Sequence, residues 1–172
     1  MLGLSSLGVV HTAISLVAVA AGAIALIRDR QIVTGNRIGQ VYFWTTVLTC
    51  LTGFFIFAHG GFGKPHALGI ITLIVLGIAW GAGRRSWFGK LAPYVEVVSY
   101  SLSFLFHWIP AITETTTRLP LGAPLLASPE APELQQAAAG LFLLFLIGAT
   151  AQVLRLRRQL RAAPVASLQQ PA

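Results

Sequence analysis

Residues 4–27 run for 24 positions without a formal charge and are closed by Arg28-Asp29-Arg30. At about 1.5 Å per residue that is enough helix to cross about 30 Å of hydrocarbon. Similar apolar stretches recur near 39–58, 66–83, 94–112 and 137–154, with polar or basic segments between them. Of the 172 residues 55% are hydrophobic and only 10% charged, whereas soluble domains carry about 25% charged residues. A mean hydropathy of +0.75 agrees. The chain is therefore expected to be all-α, an integral membrane helical bundle of five transmembrane helices, with a four-helix core and a peripheral fifth. Residues 1–154 form one transmembrane domain in this reading, and residues 155–172 a basic end with a disordered tail.

Local signals set the boundaries. The first stretch is read as a retained span, because no basic residue precedes it and it is too long for a signal peptide, although Ala18-Val19-Ala20 has a small-x-small form. Tyr42 and Trp44 near the start of the second span are expected to act as interfacial anchors. The short link HGGFGKP turns the chain straight back, so spans two and three should be antiparallel neighbours. Pro110 is expected to end or kink span four. Residues 113–136, with Pro120, Pro124, Pro129 and Pro132, read as an exposed connection.

The formal net charge is +7, but the basic residues lie in clusters between apolar runs, which fits membrane topology and argues against nucleic acid. If the first loop is cytoplasmic, the inner segments hold Arg28, Arg30, Arg37, Arg84, Arg85, Lys90, Arg155, Arg157, Arg158 and Arg161. The outer ones hold only Lys64 and Arg118. That asymmetry predicts a bacterial inner (plasma) membrane protein with its N-terminus outside and its C-terminus cytoplasmic.

The polar residues of the spans select one side. Glu96, Ser99, Ser103 and His107 follow at offsets of three, four and four, so they share a helical face that must avoid lipid. Gly8, His11, Ser15, Ala18 and Gly22 make a small or polar stripe on the first span. Thr45, Thr49 and Thr52 lead towards His59 on the second, and Gly77 with Gly81 suggests a close contact on the third. All four histidines, His11, His59, His66 and His107, fall towards one end of the bundle. Imidazole suits haem iron and transition metals, so these four are the candidate cofactor ligands, with His11 and His107 as the principal metal ligands. The same residues also suit plain hydrogen bonding between helices. Glu96, Ser99, Ser103 and His107 form a candidate proton path, against which stands pairing of Glu96 with Arg84, Arg85 or Lys90. Glu114 and Arg118 are placed on the rim beyond span four.

The lone Cys50 excludes an intramolecular disulfide. No nucleotide loop, hydrolase elbow, HExxH pair or CxxC is present, so soluble-enzyme chemistry has no foothold. Gly39-Gln40-Val41-Tyr42, the segment TGFFIF at 52–57 and KPHALGIITLIVLGIAW at 64–80 resemble a family of bacterial multi-spanning membrane proteins of unknown function, over about residues 9–110. That family carries a His-Arg pair where this chain has Gly35 and Asn36. The layout is also similar to membrane b-type cytochromes as an architectural analogy. Three functions are open: a redox protein holding haem b or a transition metal, a small proton-coupled transporter, and a structural or assembly subunit. Besides the lipid bilayer, a membrane protein partner or a second copy would meet the fifth span.

Overall fold

The computed structural model describes residues 5–56, 61–84 and 88–166, with only the backbone for 163–166. Its five helices are α1 (Ser6–Asp29), α2 (Arg37–Gly53), α3 (Lys64–Gly83), α4 (Ala92–Arg118) and α5 (Pro132–Ala166). Among the described residues there is no strand. The Ser5 hydroxyl caps α1 by accepting the Gly8 amide at 3.1 Å. Asn36 does the same for α2, accepting from the Gly39 amide at 2.8 Å while its own amide donates to Asp29 at 3.0 Å. A side-chain oxygen at these positions satisfies a helix amide that has no partner within the helix. The α1–α2 connection is thus tied at both ends, and it is tight: any Cβ at Gly39 would run into the Val33 carbonyl.

α1 packs chiefly on α2, and α3 on α4. The two pairs meet through α2 and α3 and, more lightly, through α1 and α4, and α5 packs on α4. Ala21, Ala25, Ile32, Tyr42, Leu76, Ala79 and Tyr100 form the core. The small residues of α1 let large rings come close. A Cβ at Gly22 would stand only 2.6 Å from the Phe104 ring and 3.0 Å from Tyr42. The Gly8-Ala18-Gly22 part of the predicted stripe is accordingly buried.

Four helices are long and apolar enough to cross a membrane: α1, α3, α4 with the 3₁₀ turn before it, and α5. α2 is shorter than expected. It stops at Gly53 instead of reaching 58, and its last turn tightens, the Phe55 amide reaching the Thr52 carbonyl and the Ile56 amide the Gly53 carbonyl. Pro110 does not end α4, which runs on to Arg118. A proline deletes one helical donor, and packed neighbours and hydroxyls around a membrane helix lower that cost. The connection before α5 is therefore narrower than 113–136, because 113–118 belong to α4 and 132–136 to α5. α5 does not end at 154 as expected but continues through Arg155, Arg157, Arg158 and Arg161 to Ala166, into the tail from 162 that was read as disordered; residues 167–172 lie outside the described residues.

Two contacts also differ. Gly77 meets nothing within 4 Å, so the predicted small-residue contact on α3 is not made there, although Gly81 is buried. Gln152 anchors α5, accepting from the Ser101 hydroxyl at 2.8 Å and donating to the Arg30 carbonyl at 3.0 Å. The central face of α5, with Leu143, Leu144 and Ile147, is exposed.

Candidate functional site

Four buried side chains pair off between α2 and α4: Tyr42 with Ser103, and Thr46 with His107. Ser103 donates to the Tyr100 carbonyl at 2.8 Å, which uses its only hydroxyl proton. Its oxygen must then accept from the Tyr42 hydroxyl, 2.7 Å away. The Thr46 hydroxyl lies 3.0 Å from His107 Nε2. This bond can run in either direction, and the one in which His107 donates selects one ring tautomer. That tautomer puts a proton on Nε2 of His107 and leaves Nδ1 with the lone pair. The ring is held edge-on to Tyr42, with centroids 6.1 Å apart.

The same logic assigns His11. The Thr52 hydroxyl donates to the Leu48 carbonyl at 2.8 Å, so it accepts from His11 Nδ1 at 3.0 Å. Nε2 of His11 then carries the lone pair. The ring also lies against Gly53, where a Cβ would be 3.2 Å from Cε1. α1 and α4 thereby each carry an imidazole braced on a hydroxyl of α2. His107 is buried and His11 half-buried.

The other candidates are placed elsewhere. His66 Nδ1 accepts the Gly63 amide at 3.3 Å and so closes the first turn of α3, with Phe62 packed on its ring. His59 lies outside the described residues. Glu96 is half-buried near the N-terminal end of α4, its carboxylate against Gly83. No hydrogen bond links Ser99 to Ser103, which instead turns towards Tyr42. Of the candidate proton path, Ser103 is bonded to Tyr42 and His107 to Thr46, both partners lying on α2. Glu114 pairs with Arg118 one turn on.

Among the described residues there is no group of three or more His, Cys, Asp or Glu arranged to hold a metal ion. No family model, curated protein or solved structure matches the chain.

Tyr42 and Thr46 are the site residues that the sequence reading passed over. Tyr42, read as an interfacial anchor, is fully buried, whereas Trp44 two positions on is exposed. The inward face of α2 is Tyr42-Thr46-Thr49-Gly53, at offsets of four, three and four. Thr45 instead turns its hydroxyl back to the Val41 carbonyl. The spacing of that face was available in the sequence. The choice between it and the overlapping Thr45-Thr49-Thr52 face depended on partners in α4.

Proposed function

We propose that this chain is a polytopic protein of a bacterial inner membrane, N-terminus outside, that holds a haem b or transition-metal centre between His11 and His107 in a redox role. The observation carrying this reading is the pair of hydroxyl braces, Thr52 on His11 and Thr46 on His107. Ligating histidines characteristically donate the non-ligating N–H to a fixed acceptor, which sets the tautomer and orients the ring. Each imidazole is then left with one lone-pair nitrogen, the form that binds metal. Two protein ligands suit haem iron better than zinc, because the porphyrin supplies four nitrogens while structural zinc takes four side chains. The ten-to-two distribution of basic residues favours the stated orientation.

The test is absorption spectroscopy and metal analysis of the detergent-purified chain. His11→Ala and His107→Ala should each abolish most of the bound haem or metal. Thr46→Val and Thr52→Val should lower it by about 10- to 100-fold, the usual cost of losing such a brace. Equal or absent binding in all five proteins would sink the reading.

A second reading is favoured by one observation: the α2–α4 chain of hydroxyls ends on a backbone carbonyl, at Tyr100. The bonds would then serve as fasteners between helices in a structural or assembly subunit, with the exposed face of α5 meeting a membrane partner or a second copy. A stable co-purifying partner without any cofactor would favour it. Proton coupling is the weaker alternative, since Ser103 turns its hydroxyl to the Tyr100 carbonyl and to Tyr42 and not along α4 towards Ser99.

A further inference from the structure

At the arginine-bearing end, α2 and α3 part company. α2 and α3 make less contact than either makes with its main partner. Between them, the loop before α2 and the start of α4, lies a half-open cavity of about 650 Å³. Gln40 donates to the Thr34 carbonyl at 3.2 Å and so fixes the loop against the first turn of α2. Trp44 and Trp80, both exposed at their outer edges, form its sides. This is the level at which tryptophans sit at a membrane surface.

Two opposite charges face this space. The Arg84 guanidinium lies 3.5 Å above the Trp80 ring. A guanidinium stacked on an aromatic face keeps its N–H edge available, a geometry suited to phosphate oxygens. Glu96 lines the cavity too. Its carboxylate can lie there only because residue 83 has no side chain; a Cβ would stand 2.5 Å from Oε1. A ligand with only negative charge would meet Glu96, and one with only positive charge would meet Arg84. A group carrying a phosphate and an ammonium a few bonds apart matches both.

We propose that this cavity binds a phosphoethanolamine group, with the phosphate on Arg84 and the ammonium donating to Glu96. The group has two sources, the headgroup of phosphatidylethanolamine and the free soluble zwitterion. The apolar wall of Val33, Phe43 and Trp44 favours the lipid, whose glycerol and chains would leave along it. Choline should bind less tightly, since its nitrogen has no proton to give to a carboxylate and is left with charge attraction and the aromatic walls alone. The proposal does not depend on the imidazole pair at the other end of the bundle.

The full chain is reconstituted in vesicles of equimolar phosphatidylethanolamine, phosphatidylcholine and phosphatidylglycerol with identical acyl chains, then released and weighed intact by native mass spectrometry. The wild type should retain the ethanolamine lipid about tenfold over either competitor, as one charge-assisted contact would give. Glu96→Gln should erase the preference over choline, and Arg84→Gln should lower retention of all phospholipids. If millimolar O-phosphoethanolamine displaces the lipid, the free zwitterion shares the site; if it does not, the headgroup is the ligand. Equal retention of the three lipids by the wild type overturns the proposal without reference to any variant. So does an unchanged preference in Glu96→Gln that inserts normally.

Discussion

The Tyr42 hydroxyl donates to Ser103 across 2.7 Å, linking two fully buried residues 61 positions apart in the chain. The two partners are not equivalent. Tyr42→Phe removes one donor and leaves Ser103 still bonded to the Tyr100 carbonyl, so the cost should be about 1 kcal/mol. Ser103→Ala strips the tyrosine proton of its acceptor in the interior and should cost about 1–3 kcal/mol. Thermal unfolding in detergent should rank wild type above Tyr42→Phe and Tyr42→Phe above Ser103→Ala; the reverse order would contradict the assigned donor direction.

Gly22 and Gly39 should both reject alanine, for different reasons. At Gly22 the new methyl meets the rings of Phe104 and Tyr42, which can shift at an overpacking cost of about 1–3 kcal/mol. At Gly39 it meets the Val33 backbone carbonyl, which the Asn36 and Asp29 bonds hold in place. Gly39→Ala should therefore be the more damaging, with loss of folded, monodisperse protein by size-exclusion chromatography where Gly22→Ala remains recoverable. Equal recovery of both would show that the α1–α2 turn is softer than its contacts imply.

Orientation is open to a direct assay. A reporter enzyme active only in the cytoplasm, fused after Arg161, should be active, and the same reporter placed within residues 119–131 should be silent. Activity at the second position alone would invert the proposed topology.

The connection between α4 and α5 should respond to acid. Ser128 donates to Glu130 at 2.9 Å and Lys64 pairs with it at 3.3 Å, and together they hold the carboxyl below its usual range. Because the folded value is depressed, the contact is fully present at neutral pH and fades as pH falls through that lowered value. Amide exchange across 119–131, corrected for the intrinsic pH effect, should rise at acid pH in the wild type and change less in Lys64→Gln. A flat profile in the wild type would remove Glu130 from the account.

Much of the fold was legible because hydropathy over some 20 residues averages out local detail, as in α1 and α3. Helix ends were harder. Whether Pro110 stops α4 depends on neighbours that carry the helix past it, and α2 ends at Gly53 although the apolar run continues beyond it. The inward facing of His11 and His107 followed from the cost of exposing imidazole to lipid. Their partners did not, since Thr46 and Thr52 differ from the other threonines of α2 only in what the fold sets opposite them. Tyr42 shows the same limit: beside a basic loop it reads as a surface ring, and only Ser103 reveals it as interior.

The 17 residues of α2 amount to about 25 Å of helix, while the 35 of α5 amount to about 52 Å, against a hydrocarbon layer of about 30 Å. The perimeter of the protein is therefore uneven in height. With α2 in the bilayer as proposed, lipid beside it would thin or the molecule would lean, each at a fraction of a kcal/mol per ångström of mismatch. Acyl-chain length thus acts as a mechanical load on one flank, and a thicker bilayer would press hardest on the short helix whose hydroxyls hold both imidazoles.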